Sequence, residues 1–282
     1  MQNYSAFDDQ VEFYAAEIRK NGFVLIPSAL DDGLVDDLLS RIRYLNASLT
    51  PVSRETIPYL NRGHEVVYSL ENKDLAFVRA MFNHPVARGV KIALLNDQWY
   101  KQIPAGMPNY ILRAMIARSG GPEPLPLHID SFVPSSGSFS WAVQVAFILE
   151  DQSIDNGCTV FVPGSHLFDR YANQEAIAQA VAVEPKKGDM VIWDSRTWHG
   201  TRGNLSGKTR WSFIGTFTRW WIKQNYDTVR NLPDSIYKEL SDEERSILGF
   251  CSSPPFNEYQ RIDIKGGYEL ISERNIHDKQ DR

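Results

Sequence analysis

Apolar positions in the first hundred residues recur at helical spacing. Val11, Tyr14, Ala15 and Ile18 share one face, and Asn21-Gly22 stops the segment. Phe23-Val24-Leu25-Ile26 then reads as a short buried strand ended by Pro27. Leu34, Val35, Leu38, Leu39 and Ile42 form a second apolar stripe, behind Asp31 or Asp32 as the helix cap. A third helical stretch extends from about Lys73 to Leu95, interrupted where Pro85 can begin a new helix. After Pro108 the period shortens. Apolar segments at Tyr110 to Ala117, Ser140 to Leu149, Thr159 to Val162, Met190 to Trp193 and Trp211 to Thr218 are separated by clusters of Gly, Pro, Asn, Asp and Ser. Many short strands with such turns predict an antiparallel sandwich or barrel.

In Ala142 to Leu149 the alternation assigns faces. Val143, Val145, Phe147 and Leu149 lie on one side, while Gln144 and Ala146 on the other leave room for a ligand. Beyond Lys223 the helical pattern returns. Ser241-Asp242-Glu243-Glu244 resembles a capping box before Ile247 and Leu248, and Gly249 is placed as a C-terminal stop. The expected fold class is therefore mainly β with flanking helices. One domain is expected over residues 1–282, with a helical part to about 109, a β core over about 110–222 and a helical tail over 223–282.

Composition narrows the function. With 43% hydrophobic and 23% charged residues, the chain is globular rather than disordered. A net charge of −5 and no basic cluster larger than Lys186-Lys187 argue against a nucleic-acid partner. Cys158 and Cys251 are too few for a disulfide framework or a cysteine-rich zinc site. No stretch approaches the ~20 apolar residues of a membrane span, and no secretory signal opens the chain, so a cytoplasmic protein with a small-molecule substrate is expected. Its oligomeric state is left open.

The candidate chemistry lies in two separated segments. In Leu127-His128-Ile129-Asp130 an extended backbone points the imidazole and the carboxylate to the same side. His199 follows later, in a polar, Gly-flanked turn after a strand. Two histidines and one carboxylate on one face of a metal leave the opposite positions open, the arrangement of non-haem Fe(II) oxygenases. Such a site using an α-keto acid also needs a cation for the distal carboxylate. Arg210 follows His199 by 11 residues, on a strand where it shares a face with Ser212, Ile214 and Thr216, and Thr201 can add a hydroxyl. Arg113, Phe132, Trp141, Gln144 and Trp198 are candidates for the substrate pocket. Arg113 and Arg118, five apart on one strand, are expected on opposite faces, so that at most one points inward. His166, in Pro-Gly-Ser-His, reads as a turn residue, and His64, His84 and His277 as helix or tail residues.

Taken in order, His128-x-Asp130, Asn156-Gly157-Cys158 through Pro163-Gly164-Ser165-His166, Lys187-Gly188-Asp189, Trp198-His199-Gly200 and Arg210 resemble the phytanoyl-CoA dioxygenase family. Gly22-Phe23-Val24-Leu25-Ile26-Pro27 extends the resemblance to roughly Val11 to Thr218. It implies a double-stranded β-helix (a jelly-roll, cupin-like core). It also implies Fe(II) held by His128, Asp130 and His199, with 2-oxoglutarate and O2 as cosubstrates. By the same pattern Arg210 and Thr201 would hold the C5 carboxylate of 2-oxoglutarate. Asp130 disfavours the halogenating branch, which replaces this carboxylate. The expected activity is oxidation, with hydroxylation as the modal outcome, of a metabolite or natural-product intermediate, releasing succinate and CO2. The rival readings are a non-oxidative cupin-like isomerase or binding protein and, beyond it, a zinc hydrolase.

Overall fold

The computed structural model describes residues 3–49, 63–101 and 103–253. The last part of the expected helical tail, 254–282 with His277, lies outside the described residues, as do 50–62 of the N-terminal part.

Among the described residues, ten strands form two antiparallel sheets. The larger has the order β1 (Phe23–Ile26), β8 (Met190–Asp194), β5 (Ala142–Ile148), β10 (Ser212–Arg219), β3 (Tyr110–Ser119), β2 (Glu65–Tyr68). The smaller has the order β4 (Leu125–His128), β9 (His199–Thr201), β6 (Thr159–Phe161), β7 (Val181–Val183). Strands that neighbour in space come from distant parts of the chain, as in a jelly roll. Six expected strands are present within two residues of their ends. The unexpected ones, β2, β4, β7 and β9, have only three or four residues each, too few to show a period.

Helices cover one face of the larger sheet. α1 (Asn3–Asn21) ends at Gly22, which adopts φ +88°. α2 (Asp32–Ala47) is capped by Asp31, whose carboxylate accepts from the Leu34 amide. The break at Pro85 is observed: α3 (Leu75–Asn83) stops one residue before His84, which caps α4 (Pro85–Leu95) by accepting from the Ala87 amide. Three short helices follow the sheets: α5 (Thr228–Asn231), α6 (Asp234–Tyr237) and α7 (Asp242–Ile247). The last carries the expected Ser241/Glu244 capping box, with Gly249 at φ +94° beyond it.

The two faces of β5 separate as the alternation requires. Val143, Val145, Phe147 and Leu149 join the helix-side core, which also draws residues from α1 to α4, α6 and α7. Ala146 and Ile148 instead meet Phe161, Val183, Val191 and Trp193 between the sheets. A third cluster, with Leu127, Val160, Val162 and Trp198, covers the outside of the smaller sheet.

Several buried ionisable groups were not legible in the pattern, among them Arg196, Asp194, Lys91 and Glu71. Arg196 and Asp194 form an ion pair with bonds at 2.9 Å from Nε and Nη2, and Arg196 also donates to the carbonyls of Ser135 and Gly137. It thereby anchors the loop after Asp130. Lys91 is fully buried, its ammonium 3.7 Å from the centroid of the Phe217 ring and bonded to the Met81 carbonyl. Burial lowers its pKa well below the usual lysine value. Glu71, on the turn after β2, is buried with Oε2 unpartnered among the described residues, and burial pushes its carboxyl up to about 7.

An unfolded glutamate titrates near ~4.3. Between that value and about 7 the folded chain keeps a proton that the unfolded chain releases, so Glu71 destabilises the fold progressively over that interval and by a constant amount above it. Glu71→Gln is expected to raise the melting temperature by several degrees near about pH 8.5 and to change it little near about pH 4.5. Thermal denaturation at the two pH values checks this.

Candidate metal and cosubstrate site

The site is built where β4 and β9 pair. His128 and His199 are direct cross-strand partners, so their side chains project to the same side, with ring centroids 4.3 Å apart. His128 Nδ1 lies 2.9 Å from the Pro126 carbonyl oxygen, and His199 Nδ1 lies 2.9 Å from that of Thr197. A carbonyl only accepts, so each Nδ1–H donates and each Nε2 keeps its lone pair for the interior. Phe161 and Trp193 flank the His199 ring, with centroids 5.8 and 5.6 Å from its own.

Asp130 arrives on the loop after β4. Its backbone N–H and that of Ser131 both donate to the Ser195 carbonyl, at 2.8 and 3.1 Å. The carboxylate then lies 3.6 Å from His128 Nε2 and 3.2 Å from His199 Nε2. The three ligand atoms fall within 4.8 Å of one another. Burial opposes ionisation of Asp130, but the two imidazoles outweigh it and hold the carboxyl well below the usual range. Burial likewise opposes charge on His128, and Asp130 overrides it and raises the pKa. The carboxylate thus favours positive charge beside it, and with both imidazole Nε2 atoms turned toward it the set suits a divalent cation of the imidazole-and-carboxylate type.

Gln144, expected at the substrate, has another task. Its amide donates to Asp130 Oδ2 at 2.9 Å, and its own oxygen accepts from Thr216, its cross-strand neighbour on β10. It therefore orients the carboxylate.

Next to the imidazoles, the space between the sheets forms a cavity. Leu125, Ala146, Ile148 and Phe161 are among its apolar walls, and Arg118, Gln152, Thr201, Arg210 and Ser212 supply its polar lining. Arg210 is 4% exposed. Its backbone N–H donates to Ser119 Oγ at 2.9 Å, and its guanidinium packs against Gly120, where any Cβ would collide with it. Nε and Nη2 have no hydrogen-bond partner among the described residues. Burial, with repulsion from Arg118, lowers the Arg210 pKa to about 10. A buried guanidinium with unpartnered donors is costly unless an anion completes it. Thr201 lines the same cavity; its Oγ1 accepts from the Leu125 amide at 3.2 Å.

Two expectations need correction. Arg113 and Arg118 do not lie on opposite faces. β10 pairs Thr216 with Ala114 and Phe217 with Leu112, so Arg113 is the extra residue of a bulge and the alternation restarts behind it. Arg118 lines the cavity, while Arg113 feels the charge of Asp130 and lies 4.5 Å from the centroid of the Phe132 ring. Trp198 is not a pocket residue. It precedes His199 on the strand, points to the opposite face and is buried in the outer cluster beside Leu127 and Val160. Phe132 is 64% exposed at φ +63°, and Trp141 packs edge-on against Trp221. His166 is a turn residue as expected, with Nε2 at the Arg19 carbonyl. His64 lies in no helix: it precedes β2, and its Nδ1 accepts from the Gly121 amide. Gln152, bonded to Ser212 Oγ at 2.6 Å, gave no signal in the sequence.

A jelly roll with two histidines and a carboxylate at one mouth, and an anion-seeking arginine in the same cavity, defines the class of Fe(II)- and 2-oxoglutarate-dependent oxygenases. The residues fit both groups: the Nε2 atoms and Asp130 suit the metal, and the unpartnered donors of Arg210 suit a carboxylate. The family model for phytanoyl-CoA dioxygenase matches residues 18–212, and the chain belongs to that family. It is 30% identical to dioxygenase af480 of Aspergillus fumigatus over 83% of this chain and 75% of that one. Among solved structures it is similar to the epimerase SnoN from nogalamycin biosynthesis, in complex with Fe3+, α-ketoglutarate and nogalamycin RO. That match has a TM-score of 0.57 at 23% identity, over 74% of this chain and 83% of that one. HygX from Streptomyces hygroscopicus, with nickel and 2-oxoglutarate bound, matches with a TM-score of 0.59 at 16% identity, over 75% and 88% of the two chains. These two likenesses show the fold.

Removing the partner that orients a metal ligand weakens metal binding by roughly 10- to 100-fold. Gln144→Leu is expected to raise the dissociation constant for Ni(II) by that order, and Asp130→Ala to abolish specific binding. Calorimetric titration of the metal-free protein checks both.

Proposed function

We propose that the chain oxidises an unactivated C–H bond of a small metabolite or natural-product intermediate, most simply to an alcohol, while 2-oxoglutarate becomes succinate and CO2. The observation that carries this reading is the unpartnered, buried guanidinium of Arg210 in the cavity that His128 and His199 also line. A metal-binding isomerase or a zinc hydrolase has no use for that cation.

In this reading His128 Nε2, His199 Nε2 and Asp130 hold Fe(II), and Gln144 fixes the carboxylate's orientation. Bound there, the metal with 2-oxoglutarate and O2 supplies an oxidant strong enough to abstract hydrogen from carbon. The protein's own part is to hold, aim and exclude. Arg210 and Thr201 anchor the distal carboxylate of the cosubstrate, and the apolar walls of Ala146, Ile148 and Phe161 keep water from its carbon chain. Within reach of the Asp130 charge, Arg113 is fixed by Asn225, its Nε donating at 2.9 Å, and stacks on exposed Phe132. This pair, with Trp141, is assigned to the substrate. A flat apolar ring under a guanidinium suits a molecule with an apolar skeleton and an anionic or hydrogen-bond-accepting group. SnoN is an epimerase, so this fold also supports outcomes other than hydroxylation.

With Fe(II), 2-oxoglutarate and air, the purified protein is expected to release succinate slowly even without its prime substrate. Asp130→Ala should abolish this turnover, and Arg210→Ala should raise the KM for 2-oxoglutarate by at least about 10-fold, as loss of a charged hydrogen bond implies. Enzymatic succinate determination checks both. Turnover undiminished in Asp130→Ala, or no succinate at all, contradicts the reading.

A further inference from the structure

Arg113 owes its place to the bulge. Leu112 and Ala114 on either side of it pair with Phe217 and Thr216 of β10, and Arg113 is passed over. Asn225, in the segment after β10, holds it at two points. Its backbone N–H donates to the Arg113 carbonyl at 3.0 Å, and its side-chain oxygen accepts from Nε at 2.9 Å. With Nε engaged, the end of the guanidinium fork, Nη1 and Nη2, makes no hydrogen bond among the described residues. Asp130 is the acid whose charge reaches it, but one oxygen of that carboxylate faces His128 and the other faces His199 and the Gln144 amide. Phe132, whose ring lies under the guanidinium, holds φ +63° and is still 64% exposed. Backbone strain at an exposed aromatic ring is the mark of a ligand contact rather than of packing. Asn225 also lines a groove of about 670 Å³, with Ile111, Trp221, Tyr226 and Val229 among its walls. Ile111 lies opposite Thr218, which lies opposite Ala142 in turn. Ala142 is two residues from Gln144 on β5, so this wall belongs to the face of the sheet on which Gln144 meets Asp130. Small-molecule sites span roughly 300–1,000 Å³, and the groove falls within that range.

We propose that Arg113 is the specificity-determining residue for a substrate with a single carboxylate, which Nη1 and Nη2 take end-on while the apolar skeleton covers Phe132 and extends into the groove. The proposal rests on the oxygenase reading above and deepens it, from a small molecule in general to an apolar monocarboxylate. Geometry selects the group: two parallel N–H donors match the two oxygens of a carboxylate. Charge selects the number: one guanidinium balances one negative charge. Asn225 is a positioning residue, because by occupying Nε it closes the side-on approach and leaves only the end of the fork free.

The test uses full-length protein loaded with Ni(II) and 2-oxoglutarate, so that the cosubstrate pocket is filled, and two flat apolar probes of one shape, 2-naphthoate and 2-naphthamide. Calorimetry gives the affinity of each for wild type, Arg113→Gln, Arg113→Lys and Asn225→Ala. The 2-oxoglutarate affinity of the Ni(II) form is the control for folding. Wild type is expected to prefer the carboxylate over the amide by roughly 10-fold or more, as a charged hydrogen bond implies. Arg113→Gln should erase that preference and leave the amide affinity as it was, and Arg113→Lys should restore part of it. Asn225→Ala should reduce the preference without abolishing it. A merely structural arginine would move both probes together. Wild type that binds the two probes alike, or does not bind the carboxylate, overturns the proposal, as does a preference that survives in Arg113→Gln. In each of these cases 2-oxoglutarate binding leaves the oxygenase reading standing. Wild type that takes up no 2-oxoglutarate overturns that reading and the proposal with it.

Discussion

Two imidazoles whose Cα atoms face each other across an antiparallel pair must project to the same side of the sheet, and this register of His128 with His199 is the constraint on which the site depends. Strands of three and four residues cannot enforce such a register by themselves. The surroundings do so: β9 also pairs with β6, which places Phe161 opposite His199, and the Ser195 carbonyl collects the backbone of Asp130 and Ser131. The buried Arg196–Asp194 pair then ties down the loop that follows. A shift of one residue in β4 would turn His128 to the outer cluster, where Trp198 already lies.

The electrostatics of the interior follow from that placement. One end of the space between the sheets carries Asp130 with imidazoles around it, and the same cavity carries the Arg210 guanidinium, whose Nε and Nη2 have no partner among the described residues. Each is expensive in a dry interior, and each is completed by its own ligand: a cation at the carboxylate, an anion at Arg210. The free chain therefore holds its binding free energy as uncompensated charge. This explains why the arginine pocket has a glycine wall, since Gly120 lets the guanidinium pack flat against backbone.

Much of this was legible in the sequence. The alternation in 142–149 assigned Gln144 and Ala146 inward correctly, and the caps at Asp31, Pro85, Ser241 and Gly249 all formed. The spacing from His199 led to Arg210 in the same cavity, although Arg210 lies in the loop two residues before β10 and not on the strand as expected. What failed did so for physical reasons. The β10–β3 bulge at Arg113 is a single inserted residue that leaves no mark in the hydrophobic pattern, yet it reverses the faces of everything beyond it. Gln144 was read by face alone, and only the third dimension shows the carboxylate within its reach. Arg196, Lys91 and Glu71 look like surface residues by type, and their burial depends on partners far along the chain.

The account's central claim is a single metal shared by three distant side chains with a carboxylate seated on the arginine behind it. Anomalous diffraction from crystals grown anaerobically with Fe(II) and 2-oxoglutarate tests it most directly. The account requires an iron peak between His128 Nε2, His199 Nε2 and the Asp130 carboxylate, with the distal end of the cosubstrate on Arg210. An iron peak elsewhere, or an Arg210 guanidinium left bare beside bound 2-oxoglutarate, would contradict it.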